Sequence, residues 1–112
     1  MDILFKNSQL QKTFNRYERL KKKHGQRRAT LINRRLSELQ AMPNLSIASK
    51  FPQLHCHELK GNRKGQLAVD LDQPYRLIFS VAHDPIPRKE DGGLDWSRVE
   101  AIQIEGGEDY HD

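Results

Sequence analysis

The apolar positions of the chain change period, and each change marks a new kind of element. Leu67, Val69 and Leu71 alternate with Gln66, Ala68 and Asp70. Tyr75, Leu77, Phe79 and Val81 alternate with Arg76, Ile78 and Ser80. A period of two predicts strands with one buried face. Gly61-Asn62-Arg63-Lys64-Gly65 and Asp72-Gln73-Pro74 read as turns by composition, so His55 to Phe79 reads as three short antiparallel strands. Upstream the period is helical. Leu10, Phe14 and Tyr17 predict a helix from Asn7 or Ser8, as N-cap, to about His24, with Gly25 as its stop. Ala29, Ile32, Leu36 and Leu39 predict a second helix from Gln26 to Ala41, ended by Pro43. Ile3-Leu4-Phe5 is a candidate edge strand, and Val99 to Glu105 a last strand with Ile102 and Ile104 on one face.

The remaining stretches have neither period. Met42 to Gln53 is polar, holds two prolines and reads as a connector. Ala82 to Asp95 has two prolines and paired glycines and reads as a surface loop, which Trp96 closes by tacking it to the body; the irregular segment as a whole spans about 82–98. Gly106-Gly107 reads as a hinge before a terminal Glu-Asp-Tyr-His-Asp. At 112 residues the chain is one domain, 1–112, of α+β class: a helical hairpin packed on one face of a twisted, mainly antiparallel sheet.

Charge sharpens this picture. Residues 1–56 hold 12 Lys/Arg against 3 Asp/Glu, and residues 57–112 hold 7 against 12. Such asymmetry points to a nucleic acid or an acidic protein as partner. On a continuous first helix, Lys12, Arg16, Arg19 and Lys23 follow at helical spacing and form one exposed basic stripe. Arg27 and Arg34 fall on the far side of the second helix, with Arg28 and Arg35 on its flank. Cys56 is the only cysteine, which excludes an intrachain disulfide and fits a reducing compartment. No apolar run has the length of a signal peptide or a membrane span, so a soluble cytoplasmic protein with no membrane partner is expected.

Three motifs carry chemistry in combination: His57-x-x-Lys60-Gly-x-Arg63-x-Gly65, the Tyr75-Arg76 pair on a later strand, and the terminal Asp109-Tyr110-His111. The runs HELKGNRKG, YRLIF and EDYH resemble the HigB branch of the RelE superfamily, the plasmid maintenance killer proteins, which are the toxins of bacterial type II toxin–antitoxin pairs. The resemblance covers most of the chain and implies a RelE-like sheet of about four to five strands. It also implies a ribosome-dependent mRNA endoribonuclease without a metal or other cofactor, neutralised by a small helix-turn-helix antitoxin of the HigA type. Carried over, the active-site residues fall on His57, Lys60, Arg76, Asp109, Tyr110 and His111. Leu67 and Tyr75 stand where the family often has Trp, Asp112 extends past the usual terminal His, and the 82–98 segment is longer than the family's turn.

These side chains suit cleavage by attack of the RNA 2′-OH on the adjacent phosphorus. His57 and His111 are proton carriers, Arg76 forks onto the non-bridging oxygens, and Lys60 adds a point charge. Tyr110 stacks on a base or donates to phosphate, and Asp109 orients a neighbouring His or Arg. Arg63 and Lys64, on the Gly-flanked turn, position the phosphate backbone. His55 and His57 lie two apart. On a regular strand they share a face with Leu59, so the enzymatic reading requires a strand end or bulge there. A His55/His57/His111 metal site lacks a carboxylate or Cys at ligand spacing, and none is expected. Two other readings compete with the enzyme: a non-catalytic basic RNA- or DNA-binding module on the same fold, and an interaction domain whose helices bind an acidic protein.

Overall fold

The structure is a computed structural model that describes residues 1–109. Its elements are β1 (Asp2–Phe5), α1 (Ser8–Phe14), α2 (Tyr17–His24), α3 (Gln26–Ala41), β2 (His57–Glu58), β3 (Gln66–Asp70), β4 (Tyr75–Val81) and β5 (Ala101–Asp109). Short 3-10 turns at Leu45–Lys50, Pro52–Leu54, Gly61–Arg63 and Trp96–Arg98 fill the connections. The five strands form one mixed sheet in the order β1-β5-β4-β3-β2. β1 runs parallel to β5, and the other pairs are antiparallel. The α+β architecture expected from the periodicities is present.

The main core lies between the helices and one face of the sheet. Phe14, Leu20, Ala29, Ile32 and Leu39 meet Leu67, Val69, Leu77, Phe79, Ile102 and Ile104 there. The other face is not purely polar. Leu59, Ala68 and Ile78 bury one another in a small second cluster, which explains why β3 and β4 are apolar on both sides at their centres.

The N-terminal helical stretch differs from the expected single helix. Asn7 does cap it, its Oδ1 accepting from Leu10 N at 2.8 Å. The helix then stops at Asn15, and Arg16 is extended at φ −126, ψ 114 before α2 begins. The cause is the placement of Phe14 and Leu20. Six residues apart, they would point about 120° away from each other on a continuous helix, yet both are buried in the same core. Breaking the helix between them lets both face the sheet, and an Asn is readily spared from a helix interior. The continuous Lys12/Arg16/Arg19/Lys23 stripe is therefore broken, although all four remain exposed. Gly25, at φ 85, joins α2 directly to α3 in a conformation that favours glycine. Gln26–Ala41 is helical over the expected span, and Met42 turns extended before Pro43.

β5 also departs from expectation. It does not stop at Glu105 but continues through Gly106-Gly107 to Asp109, which lies opposite Tyr75. The two glycines are sheet residues and not a hinge. The register slips between Ile78 and Phe79, so that Glu105 bulges and Gly106 takes φ 144. The 82–98 segment is more ordered than a bare surface loop. Arg88 and Leu94 form a β-bridge closed by Lys89 N→Gly93 O at 2.8 Å, and Leu94 is buried in the main core. His83 Nε2 accepts from Glu100 N and Ala101 N, and Trp96 Nε1 donates to Glu58 Oε2 at 3.2 Å, tacking the segment to the sheet. Among the described residues no helix is long and apolar enough to cross a membrane.

Candidate functional site on the far face of the sheet

The β3–β4 turn organises the candidate site. Tyr75 N donates to Asp72 O at 2.8 Å and closes it. Arg28, from α3, forks onto Asp72, with Nε to Oδ1 at 2.9 Å and Nη2 to Oδ2 at 3.0 Å. Its guanidinium carbon also lies 3.2 Å from the centroid of the Tyr75 ring. The Arg28 bond holds the Asp72 carboxyl below the usual carboxylate range, and Asp72 in turn raises Arg28. About two turns further along α3, Arg35 donates from Nε to Asp70 O at 2.9 Å and from Nη1 to Glu38 Oε1 at 2.7 Å. Arg35 was expected on the flank of the helix. It is buried instead, because its head bridges to the sheet.

Arg76 lies opposite Asp70 in the β3–β4 ladder, on the face away from the helices. Its Nε is 3.0 Å from Asp70 Oδ1, and its Nη1 donates to Gln73 Oε1 at 2.8 Å and to Pro74 O at 3.2 Å. Gln73 Nε2 returns to Asp70 Oδ2 at 2.9 Å. The Arg76 side chain is only 12% exposed, so this expected phosphate ligand is an ion-paired, largely shielded group. His55 Nδ1 approaches Asp70 Oδ1 at 3.3 Å.

The strand end that the His57 assignment required exists. β2 begins at His57, and His55 just before it is left-handed at φ 46. The two imidazoles therefore do not sit at alternate positions of one strand. They stack, with centroids 4.3 Å apart and planes 22° from parallel, and His57 Nδ1 lies 2.8 Å from His55 O. A carbonyl only accepts, so the proton of that bond is on His57 Nδ1, and Nε2 is the basic nitrogen of the neutral ring. His57 pairs with Ala68 and so shares the face of Asp70 and Arg76. Between the two histidines, burial pushes the Cys56 thiol up to about 12, with Glu58 adding to the effect, so Cys56 is an un-ionised thiol at neutral pH and no nucleophile.

The remaining candidates divide. Arg63 reaches across from the turn to Glu108 Oε1 and Gln66 Oε1, and Glu108 is the β5 partner of Arg76, so Arg63 is drawn to the same face. Lys60 and Lys64 flank the Gly61–Arg63 turn and are exposed. Asp109 is exposed at the end of β5. Tyr110 and His111 lie outside the described residues. Lys12, Arg16, Arg19 and Lys23 belong to the helical layer, on the side of the sheet opposite Arg76 and His57. Lys23 lines a cavity of about 390 Å³ between α1, α2 and β5, together with His24, whose pKa is lowered chiefly by burial and then by Lys23 and Arg28. Among the described residues no group of three His, Cys, Asp or Glu is placed to hold a metal ion.

Three site residues went unrecognised in the sequence: Asp70, Gln73 and Glu108. A signal for Asp70 was present, since folding the hairpin about Gln73 sets residues 70 and 76 opposite each other. Glu108 was hidden by reading Gly106-Gly107 as a hinge, which ended β5 too early. Compared with family models, with curated proteins and with solved structures, the chain matches none.

Proposed function

We propose that the protein is a ribosome-dependent mRNA endoribonuclease, the toxin of a type II toxin–antitoxin pair with a RelE-like fold. The observation that carries the reading is the grouping of Arg76 with the stacked His55 and His57 on one face of the sheet. A cation beside a basic imidazole nitrogen is what transesterification at phosphorus requires. In the proposed reaction RNA binding uncovers His57 Nε2, which is buried in the free protein, and this nitrogen takes the proton of the 2′-OH. The 2′-oxygen bonds to phosphorus as the P–O5′ bond breaks, leaving a 2′,3′-cyclic phosphate. Arg76 and Lys60 neutralise the equatorial oxygens, and His111 gives a proton to the 5′-oxygen. Arg63 and Lys64 hold flanking phosphates, Tyr110 stacks on a base, and Asp109 orients His111. The partners are the ribosome with its mRNA and a HigA-like helix-turn-helix antitoxin, in the cytoplasm.

The exposed cations of α1 and α2 favour a second reading, a basic RNA- or DNA-binding module without catalysis. One experiment separates the two. The chain is induced in bacteria, and purified protein is added to ribosomes programmed with a defined mRNA. Growth arrest and mRNA cut within the decoding site support the enzyme, with His111→Gln abolishing both. Binding to ribosomes with intact mRNA would leave the binding module.

A further inference from the structure

Asp70 belongs to no motif that suggested a function, yet its carboxylate meets three side chains on the far face. Its Oδ1 lies 3.0 Å from Arg76 Nε and 3.3 Å from His55 Nδ1, and its Oδ2 accepts from Gln73 Nε2 at 2.9 Å. Its main chain is held from behind, by Arg35 Nε on Asp70 O and by the Arg28 fork on Asp72 two residues on. The aspartate is thus fixed by α3 on one side of the sheet and presents its carboxylate on the other.

The consequence falls on Arg76. Nε is against Asp70, and Nη1 is committed to Gln73 and to the main-chain carbonyls of Pro74 and Tyr75. Among the described residues Nη2 makes no bond. A long, flexible side chain is thereby reduced to one orientation with one uncommitted donor group. We infer that Asp70 is a positioning residue that fixes Arg76 so that Nη2 meets a non-bridging oxygen of a bound phosphodiester. This rests on the endoribonuclease reading above. Orientation held before binding is worth most in the transition state, because nothing has to reorganise as charge develops. The carboxylate also repels a bound phosphate, so its contribution falls on turnover and not on affinity.

The test is a double-mutant cycle on programmed ribosomes with Asp70→Ala, Arg76→Ala and the pair, plus Asp70→Asn. Asp70→Ala lowers kcat roughly 10²-fold, with KM unchanged or lower, and adds little once Arg76 is gone. Asp70→Asn keeps the shape of the side chain but removes the charge that pairs with Arg76 Nε, so its rate falls between those of wild type and Asp70→Ala. Wild-type turnover by Asp70→Ala, or losses that simply add in the double mutant, would overturn the proposal. A rise in KM with kcat unchanged would do the same. Crystal structures of wild type and Asp70→Ala supply a readout free of catalysis: the Arg76 guanidinium leaves its position when Asp70 is removed. If the wild type cuts no RNA, the endoribonuclease reading fails by itself. An Arg76 that stays in place without Asp70 sinks the positioning role whatever the activity.

Discussion

Each guanidinium that reaches the sheet or its turns meets a carboxylate: Arg28 with Asp72, Arg35 with Glu38, Arg63 with Glu108, Arg76 with Asp70. Removing one partner therefore does more than delete a charge. Arg76→Ala leaves a 16%-exposed Asp70 with only His55 and Gln73, and the expected stability cost is about 1.5–3 kcal/mol. On the proposed function it also loses ~10²–10³-fold in cleavage. Thermal unfolding and cleavage measured on the same sample check both, and a variant that unfolds normally and cuts normally would remove Arg76 from the site. The Arg28–Asp72 pair acts through pH. Chiefly through the Arg28 hydrogen bond, the folded Asp72 carboxyl binds its proton less readily than the unfolded one. The stability this adds is fully present above the unfolded pKa of ~3.9 and is lost as pH falls through the lower folded value. Asp72→Asn should thus be less stable than wild type at pH 6, with the gap closing under acid, as chemical denaturation at stepped pH measures. Cys56 gives a third expectation. With its pKa at about 12, it should react with a thiol-specific disulfide reagent at pH 8 far more slowly than a cysteine of the unfolded chain, and a rate equal to that of the denatured protein would contradict the raised pKa.

At the scale of elements, the chain was legible wherever one period ran uninterrupted. Ala29, Ile32 and Leu39 gave α3 its span, and the alternations around Val69 and Leu77 gave β3 and β4. It was illegible where a tertiary demand broke a local pattern. The α1–α2 break serves Phe14 and Leu20 jointly, and no window of sequence states that both must reach one core. The length of β5 was missed because Gly106-Gly107 carries no side-chain period at all. Of the site, His57 and Arg76 were readable as residue types on a face. The stacking of His55 on His57 was not, because a left-handed backbone at a non-glycine leaves no mark in composition. The two glycines now make opposite predictions. Gly106 sits at φ 144, so Gly106→Ala is strained whatever the space and should cost about 1 kcal/mol or more. A Cβ at Gly107 would lie 3.8 Å from Arg76 O and Leu71 Cδ1, an ordinary contact, so Gly107→Ala should be near neutral. Urea unfolding of the two variants tests the bulge, and equal losses would mean the register is other than described.

At the scale of the whole molecule, the two candidate surfaces lie back to back. The exposed cations Lys12, Arg16, Arg19 and Lys23 project from the helical layer, and His57, Asp70 and Arg76 occupy the opposite face of the sheet. One phosphate cannot touch both, so on the proposed function the helices grip ribosomal RNA while the far face works on mRNA. Each phosphate a lysine or arginine neutralises releases a counterion, and the logarithm of affinity falls with the logarithm of salt at about 0.7–0.9 per contact. Reversing the four charges to glutamate should therefore weaken ribosome binding and flatten its salt dependence, by up to roughly three units of slope if all four touch phosphate. Because none of the four lies on the face of the sheet that carries Arg76, kcat on saturated ribosomes should hold while KM rises. Asp70→Ala is expected to do the reverse, so the two variants form a crossed test of the same architecture. Sedimentation with ribosomes at several salt concentrations gives the slope, and cleavage at saturating ribosome gives kcat. An unchanged slope would remove the helices as an RNA contact and leave that surface to an acidic protein partner. A fall in kcat with an unchanged slope would mean that the helices, and not the far face, border the reacting phosphate.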